Sequence, residues 1–176
     1  MLVPTIKTER LVLRAYELGD SAELVPLIGA REVAANLARV PYPYTEQDAR
    51  NFINSIKATP DEARFAVALS NSGHLIGGIG LRIDSAHSRA ELGYWLGIPY
   101  WEHGYATEAA RAVVQYGFET LGLHRIWASV FQGNEVSAKV LNKLGMRHEG
   151  CLRHHVLKWG RFIDLEMYGI LRSQWK

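Results

Sequence analysis

Apolar positions along this chain keep two different periods, and the places where the period changes divide it into elements. Leu11 and Leu13 alternate with Val12 and Arg14, which predicts a first strand over 8–17. Residues 20–38 carry helical spacing broken near Gly29, so one or two helices are expected there. Pro41 and Pro43 force an extended loop. Thr45, three residues before Asp48, forms a weak capping box and opens a helix expected to run to about Ala58. Strands at 65–69 and 75–83 follow, joined by a turn at Asn71-Ser-Gly73. A strand at 90–96 precedes a helix over 106–121, with Ala110, Val113, Val114, Gly117 and Phe118 along one face. An apolar strand at 126–131 leads into a short helix behind Asn134, which Gly145 closes. Two last strands are expected near 147–156 and 162–171. Helices early, strands in the middle and one βαβ unit predict an α+β fold on a mixed sheet.

The stretch 90–109, AELGYWLGIPYWEHGYATEA, is a strand, a short turn and a helix start. The first turn of a helix has unpaired N–H groups, and its dipole places about half a positive charge there. Gly104 has no Cβ to keep a ligand from the backbone, and Ala106 is nearly as small. No Lys or Arg lies in this loop, so a phosphate bound here would be held mainly by main-chain N–H groups. The dinucleotide fingerprint G-x-G-x-x-G and the Walker sequence G-x-x-x-x-G-K-[ST] are both missing, which removes NTP hydrolysis as an expectation. By itself the loop is equally an ordinary strand–helix connection.

A second motif, NEVSAKVLNKLGMRHEG over 134–150, changes that balance. With it the chain resembles the GNAT superfamily of acyl-CoA-dependent N-acyltransferases. WEHGYATEA looks like that family's pyrophosphate loop, and the 134–150 segment like its second CoA-contacting segment. Within the family the chain is most similar to the branch of bacterial ribosomal-protein N-terminal acetyltransferases. Thr8-Glu-Arg-Leu-Val-Leu-Arg14, Pro41-Tyr-Pro-Tyr-Thr45 and Glu149-Gly-Cys-Leu-Arg153 followed by Gly160-x-x-x-Asp164 carry that likeness. The resemblance covers nearly all of 1–176, and implies one N-acetyltransferase domain with acetyl-CoA as donor. It further implies a twisted, mostly antiparallel sheet flanked by helices. Its strands at Ala90 and Ile126 should splay apart, with the pantetheine arm in the V.

Composition narrows the partners more than the chemistry. The chain of 176 residues is 48% hydrophobic and 22% charged, an ordinary globular balance with a core of useful size. A net charge of +2 without a basic run argues against nucleic-acid binding. No apolar run approaches a membrane span, and MLVPTIKTER does not read as a secretory signal. The single cysteine, Cys151, allows no internal disulfide and no Cys-based zinc site, so a reducing cytoplasm and no metal are expected. A homodimer is the default for a soluble oligomer, and nothing in the sequence decides it.

Acyl transfer from a thioester to an amine needs a neutral amine, a stabilised oxyanion and a protonated leaving thiolate. The resemblance assigns Glu91, on the strand beside the cofactor cleft, as the base; strand alternation puts it on one face with Gly93 and Trp95. The competing reading is a structural carboxylate salt-bridged to Arg89 or another cation. Ser137 is the implied hydrogen-bond donor to the CoA sulfur, against a plain capping role. Four residues on, where many members carry a tyrosine acid, this chain has Leu141. The oxyanion would meet N–H groups around Leu96, Gly97 and Ile98. Glu102, His103, Gly104, Tyr105, Ala106 and Thr107 form the implied phosphate loop; Asn134 is a candidate pantetheine contact as well as a helix cap, and Lys143 a candidate for a CoA phosphate against an ordinary solvated lysine.

Cys151 is expected to pack rather than react, and adjacent His154 and His155 to face opposite ways. Asp164 and Glu166 share a strand face and are candidates for the acceptor groove, with Tyr42 and Tyr44 beside its entrance. The acceptor is a protein or peptide N-terminal amine, or a small amine; a non-catalytic acyl-CoA-binding module is the rival from another class. An α-amine of pKa near 8 costs only about 1–1.4 kcal/mol to deprotonate at pH 7, against roughly 4–5 for a lysine. A weak base therefore favours the α-amine.

Overall fold

The computed structural model describes residues 3–56 and 58–176. Met1 and Leu2 of the opening segment, and Lys57 in the expected extension of a helix to Ala58, lie outside them. The strands are β1 (Ile6–Lys7), β2 (Leu11–Arg14), β3 (Glu62–Leu69), β4 (Leu75–Asp84), β5 (Arg89–Leu96), β6 (Arg125–Phe131), β7 (Arg147–Lys158) and β8 (Arg161–Leu171). The helices are α1 (Ser21–Ile28), α2 (Arg31–Ala34), α3 (Glu46–Ile56), α4 (Tyr105–Glu119) and α5 (Glu135–Lys143). All strands join one sheet in the order β1-β2-β3-β4-β5-β6-β8-β7. Among the described residues no helix is long and apolar enough to cross a membrane.

The first strand is shorter than its alternation suggests. Thr8 turns the chain, its N–H donating to the Leu11 carbonyl at 2.9 Å, and β1 folds back on β2 as a small hairpin. The helical span breaks at Gly29 as expected, into α1 and the one-turn α2. The capping box of α3 forms: Thr45 N–H and hydroxyl both donate to Asp48 Oδ2, at 2.8 and 2.6 Å.

Helices cover both faces of the sheet. Val113 and Phe118 of α4 and Leu141 of α5 pack with Phe65, Leu81, Ile126 and Ile170 on one face. Leu24 and Ile28 of α1, Val33 of α2 and Ala49 of α3 pack with Ala66 and Leu75 on the other. Burial on both faces is why β3 and the start of β4 read as nearly unbroken apolar runs. The α4 face read from spacing, Ala110, Val113, Val114, Gly117 and Phe118, is buried throughout.

The feature that positions the site is the central pair. β5 and β6 run parallel and pair only at Arg89↔Arg125, Ala90↔Ile126 and Glu91↔Trp127. Beyond that point each is held by its outer neighbour alone: β5 stays paired with β4 to Leu96, and β6 with β8 to Phe131. The two arms therefore open into a V whose inner edges carry unpaired backbone groups, as the resemblance implies.

Candidate active site

Alternation along the two arms sorts their side chains. Ala90, Leu92 and Leu96 of β5 and Ile126, Ala128 and Val130 of β6 face the α4 core. Glu91, Gly93, Trp95, Trp127 and Ser129 face a cavity of about 750 Å³ on the other side. Its far walls come from Tyr44, Phe52 of α3, residues 36–41, and Leu165 and Met167 of β8. Asn134 and Ser137 at the start of α5 reach it as well, so the structure brings Glu91, Asn134 and Ser137 to one space.

Glu91 is an ion-pair partner, though not of Arg89. The β4–β5 register sets Arg82 opposite Glu91 and Asp84 opposite Arg89, and each pair forms its own bridge. The second Glu91 oxygen accepts from the Ser129 hydroxyl at 3.2 Å, across the base of the V. Neither Arg82 nor Ser129 was visible as a partner in the sequence, because register between strands is not written in either one.

Asn134 caps α5: its side-chain oxygen accepts from Ser137 N–H at 3.1 Å, while its amide nitrogen donates to Asn36 at 3.1 Å. Ser137 has its backbone tied twice, since its carbonyl also accepts from the Tyr94 hydroxyl at 3.1 Å. Its own hydroxyl has no hydrogen-bond partner among the described residues. Burial pushes the Tyr94 phenol up to about 12, so at neutral pH it keeps the proton it donates to that carbonyl.

At the end of β5 the Gly97 N–H donates to the Ile76 carbonyl at 2.9 Å. Gly97 therefore does not offer an oxyanion donor, and alternation leaves Leu96 N–H directed into the V. The Leu96 carbonyl accepts from the Trp101 indole at 2.8 Å, which folds the loop back on the strand. Within that loop Glu102 and Gly104 take left-handed conformations, φ 64° and 81°. The His103 and Tyr105 rings stack at 5.6 Å. α4 then starts at Tyr105, and the first bond back to the loop is Glu108 N–H to the Gly104 carbonyl. The N–H groups of Tyr105, Ala106 and Thr107 have no partner among the described residues, which is the anion-binding arrangement expected of a helix start. Lys143 is exposed at the far end of α5, without an ion pair among the described residues.

Three further side chains fall elsewhere than the sequence suggests. Cys151 is exposed, not packed, because β7 is the edge strand of the sheet. Slight desolvation and the carboxylates of Glu166 and Asp164 raise its thiol, which disfavours the nucleophilic thiolate. Between Leu152 and Val156 the β7 register slips, and His154 takes φ 50°. Even so the two face opposite ways, as expected: His155 lines the cavity, while His154 stacks on Phe162 on the other face. Asp164 and Glu166 point away from the cavity that their neighbours Leu165 and Met167 line. They bind the His154 N–H at 2.7 Å and the His148 ring at 2.5 Å. Among the described residues no cluster of three or more His, Cys, Asp or Glu is placed to hold a metal ion.

Known proteins resemble this chain in sequence and in fold. A family model described as an acetyltransferase (GNAT) domain matches residues 10–147. An uncharacterized N-acetyltransferase, p20, from Bacillus licheniformis is 36% identical over 97% of this chain and 98% of its own. YdaF of Bacillus subtilis, provisionally named a ribosomal N-acetyltransferase, is 34% identical over 59% of this chain and 57% of its own. A GNAT acetyltransferase crystal structure from Bacillus anthracis superposes with a TM-score of 0.87 at 32% identity, covering 97% of this chain and 99% of that one. A spermidine N-acetyltransferase from Vibrio cholerae, solved with CoA and spermine, has a TM-score of 0.83 at 26% identity, covering 95% and 98%. On the family match and the full-length likeness to p20, the chain belongs to the GNAT family and is an N-acetyltransferase.

Proposed function

We propose that this chain moves the acetyl group of acetyl-CoA onto the N-terminal α-amine of a peptide or protein. Acetyl-CoA supplies the activated thioester. The open N–H groups of Tyr105, Ala106 and Thr107 suit its diphosphate, and the unpaired edges of the V suit its pantetheine amides. On this reading Glu91 accepts the proton of the attacking amine, Leu96 N–H meets the developing oxyanion, and Ser137 donates to the departing sulfur. Asn134 keeps the first turn of α5, and so Ser137, in place. A cytoplasmic setting accords with a lone exposed cysteine.

The observation that carries the choice of acceptor is the state of the carboxylates in the cavity. Its lining contains Asp48, Glu62 and Glu91. Glu62 and Glu91 are neutralised by Arg64 and Arg82, and Asp48 is turned back to cap α3 through Thr45. A polyamine brings a second and third ammonium that would need carboxylates of their own when taken out of water. A peptide N-terminus brings one amine followed by neutral backbone, which fits a cavity walled by Tyr44, Phe52, Trp95 and Trp127.

Turnover of spermidine and of a short peptide with a free α-amine, compared at equal concentration, tests this acceptor reading. The expected kcat/KM favours the peptide by at least about tenfold, the worth of one unpaired ammonium at about 1.4 kcal/mol. Preference for spermidine would assign the cavity to small amines. CoA binding without turnover of either would favour a binding module.

A further inference from the structure

The phosphate loop contains no arginine, yet one arginine is fastened to it from the other end of the chain. Arg10 sits in the turn between β1 and β2. Its Nη1 donates to the His103 carbonyl at 2.9 Å, and its guanidinium lies 4.7 Å from the centre of the Tyr105 ring. A Cβ on Gly104 would stand 3.4 Å from Nη2. Three successive loop residues thus rest against one guanidinium. The same group holds Glu108 of α4: Nε donates to Oε2 at 2.7 Å and the Arg10 N–H to Oε1 at 2.8 Å. The Thr8 hydroxyl donates to Oε1 at 2.6 Å.

Glu108 is a problem for an anion site. It lies in the first turn of α4, where a carboxylate competes with any phosphate for the helix dipole and the open N–H groups. Burial alone would raise its carboxyl. The Thr8 hydroxyl, the Arg10 N–H and the Arg10 guanidinium outweigh that and hold it below the ordinary range, as a fully occupied carboxylate. Both its oxygens are turned toward the β1–β2 turn, leaving the N–H groups open. The bond to the His103 carbonyl adds an orientation effect. In a planar trans peptide N–H and C=O point oppositely, so drawing that carbonyl toward Arg10 directs the Gly104 N–H away from it.

We propose that Arg10 is a positioning residue for the acyl-CoA diphosphate: it neutralises Glu108 and fixes the loop so that its N–H groups stay available to an anion. The proposal rests on the reading that residues 102–107 hold the diphosphate, and it names a residue outside both CoA motifs.

The test uses the full chain and two ligands that differ in the diphosphate nucleotide, coenzyme A by calorimetry and pantetheine by displacement. Arg10→Met is expected to weaken coenzyme A by about tenfold or more, the scale of a charge-assisted contact, and to leave pantetheine within about twofold. Adding Glu108→Gln to Arg10→Met should recover part of the loss by removing the stranded negative charge. A merely structural role predicts the opposite, since the double variant has lost more bonds. Thr8→Val, which keeps both charges, checks folding and should weaken coenzyme A by less than Arg10→Met. A coenzyme A to pantetheine ratio in Arg10→Met equal to that of the unaltered protein overturns the proposal. So does a double variant that binds coenzyme A no better than the single one. If the unaltered protein itself binds the two ligands equally, the loop reading falls and the proposal with it.

Discussion

Replacing Gly104 with valine is expected to raise the dissociation constant for acetyl-CoA by about 100-fold while leaving the fold intact. Gly104 holds φ at 81° immediately before α4. A β-branched residue is strained there by about 1–3 kcal/mol. The chain can relieve that strain only by rotating the 103–105 backbone, which turns the N–H groups of the loop and first helical turn away from a common point. Each charge-assisted hydrogen bond lost costs about 1.5–3 kcal/mol, so two lost bonds suffice for the factor expected. Space is not the reason for the effect. An added Cβ meets only Arg10 Nη2, at an ordinary 3.4 Å. The consequence is a specific split: KM for acetyl-CoA rises steeply, kcat at saturation much less. Isothermal calorimetry on the variant checks it, and an unchanged affinity would mean that the diphosphate binds elsewhere.

Glu91→Gln is expected to lower kcat by about 10²–10³-fold, the usual worth of a general base, with acetyl-CoA affinity unchanged. The ion pair with Arg82 makes the control essential, because a carboxylate can be conserved in shape and charge for its partner alone. Arg82→Gln removes the same bridge from the other side and keeps the carboxylate. If Glu91 served only the pair, the two variants would lose activity alike. If it takes the amine proton, Glu91→Gln loses far more than Arg82→Gln. The residual rate of Glu91→Gln should also climb with pH toward the ordinary range of an α-amine, near 8, since the substrate must then lose its proton to solvent. Equal losses in the two variants, with parallel pH profiles, would reduce Glu91 to a structural residue.

Local signals predicted local structure well, and most of the failures concern which strands lie side by side. α4 was legible because fifteen residues in one register write a continuous apolar stripe. Gly104 and Asn134 were legible because a left-handed turn and a helix cap each demand a small set of residue types. The β1–β2 hairpin was not, because Thr8-Glu-Arg10 contains neither Gly nor Pro to mark the reversal. The sequence offers Arg89 or another cation as the partner of Glu91, and Arg89 is the one that lies near it in the chain. Across-strand register instead gave Glu91 to Arg82 and Arg89 to Asp84, and register depends on the whole β4–β5 pairing. The face of Asp164 and Glu166 was lost in the same way. Their alternation was correct, but which side of β8 meets the cavity depends on its packing between β6 and β7. Arg10 marks the limit of motif reading. It stands ninety-eight positions from Glu108 in the chain, and only the fold brings the two together.

The most direct measurement of the central claim is free-thiol release from acetyl-CoA with two peptides of one sequence. One has a free N-terminus, and its twin has the α-amine blocked and a lysine side chain as the remaining amine. Deprotonating the lysine costs roughly 3 kcal/mol more at pH 7 than deprotonating the α-amine. The account predicts rapid thiol release with the free N-terminus and little or none with the blocked twin, the product carrying its acetyl group on the α-nitrogen. Equal or faster release with the blocked, lysine-bearing twin would contradict it.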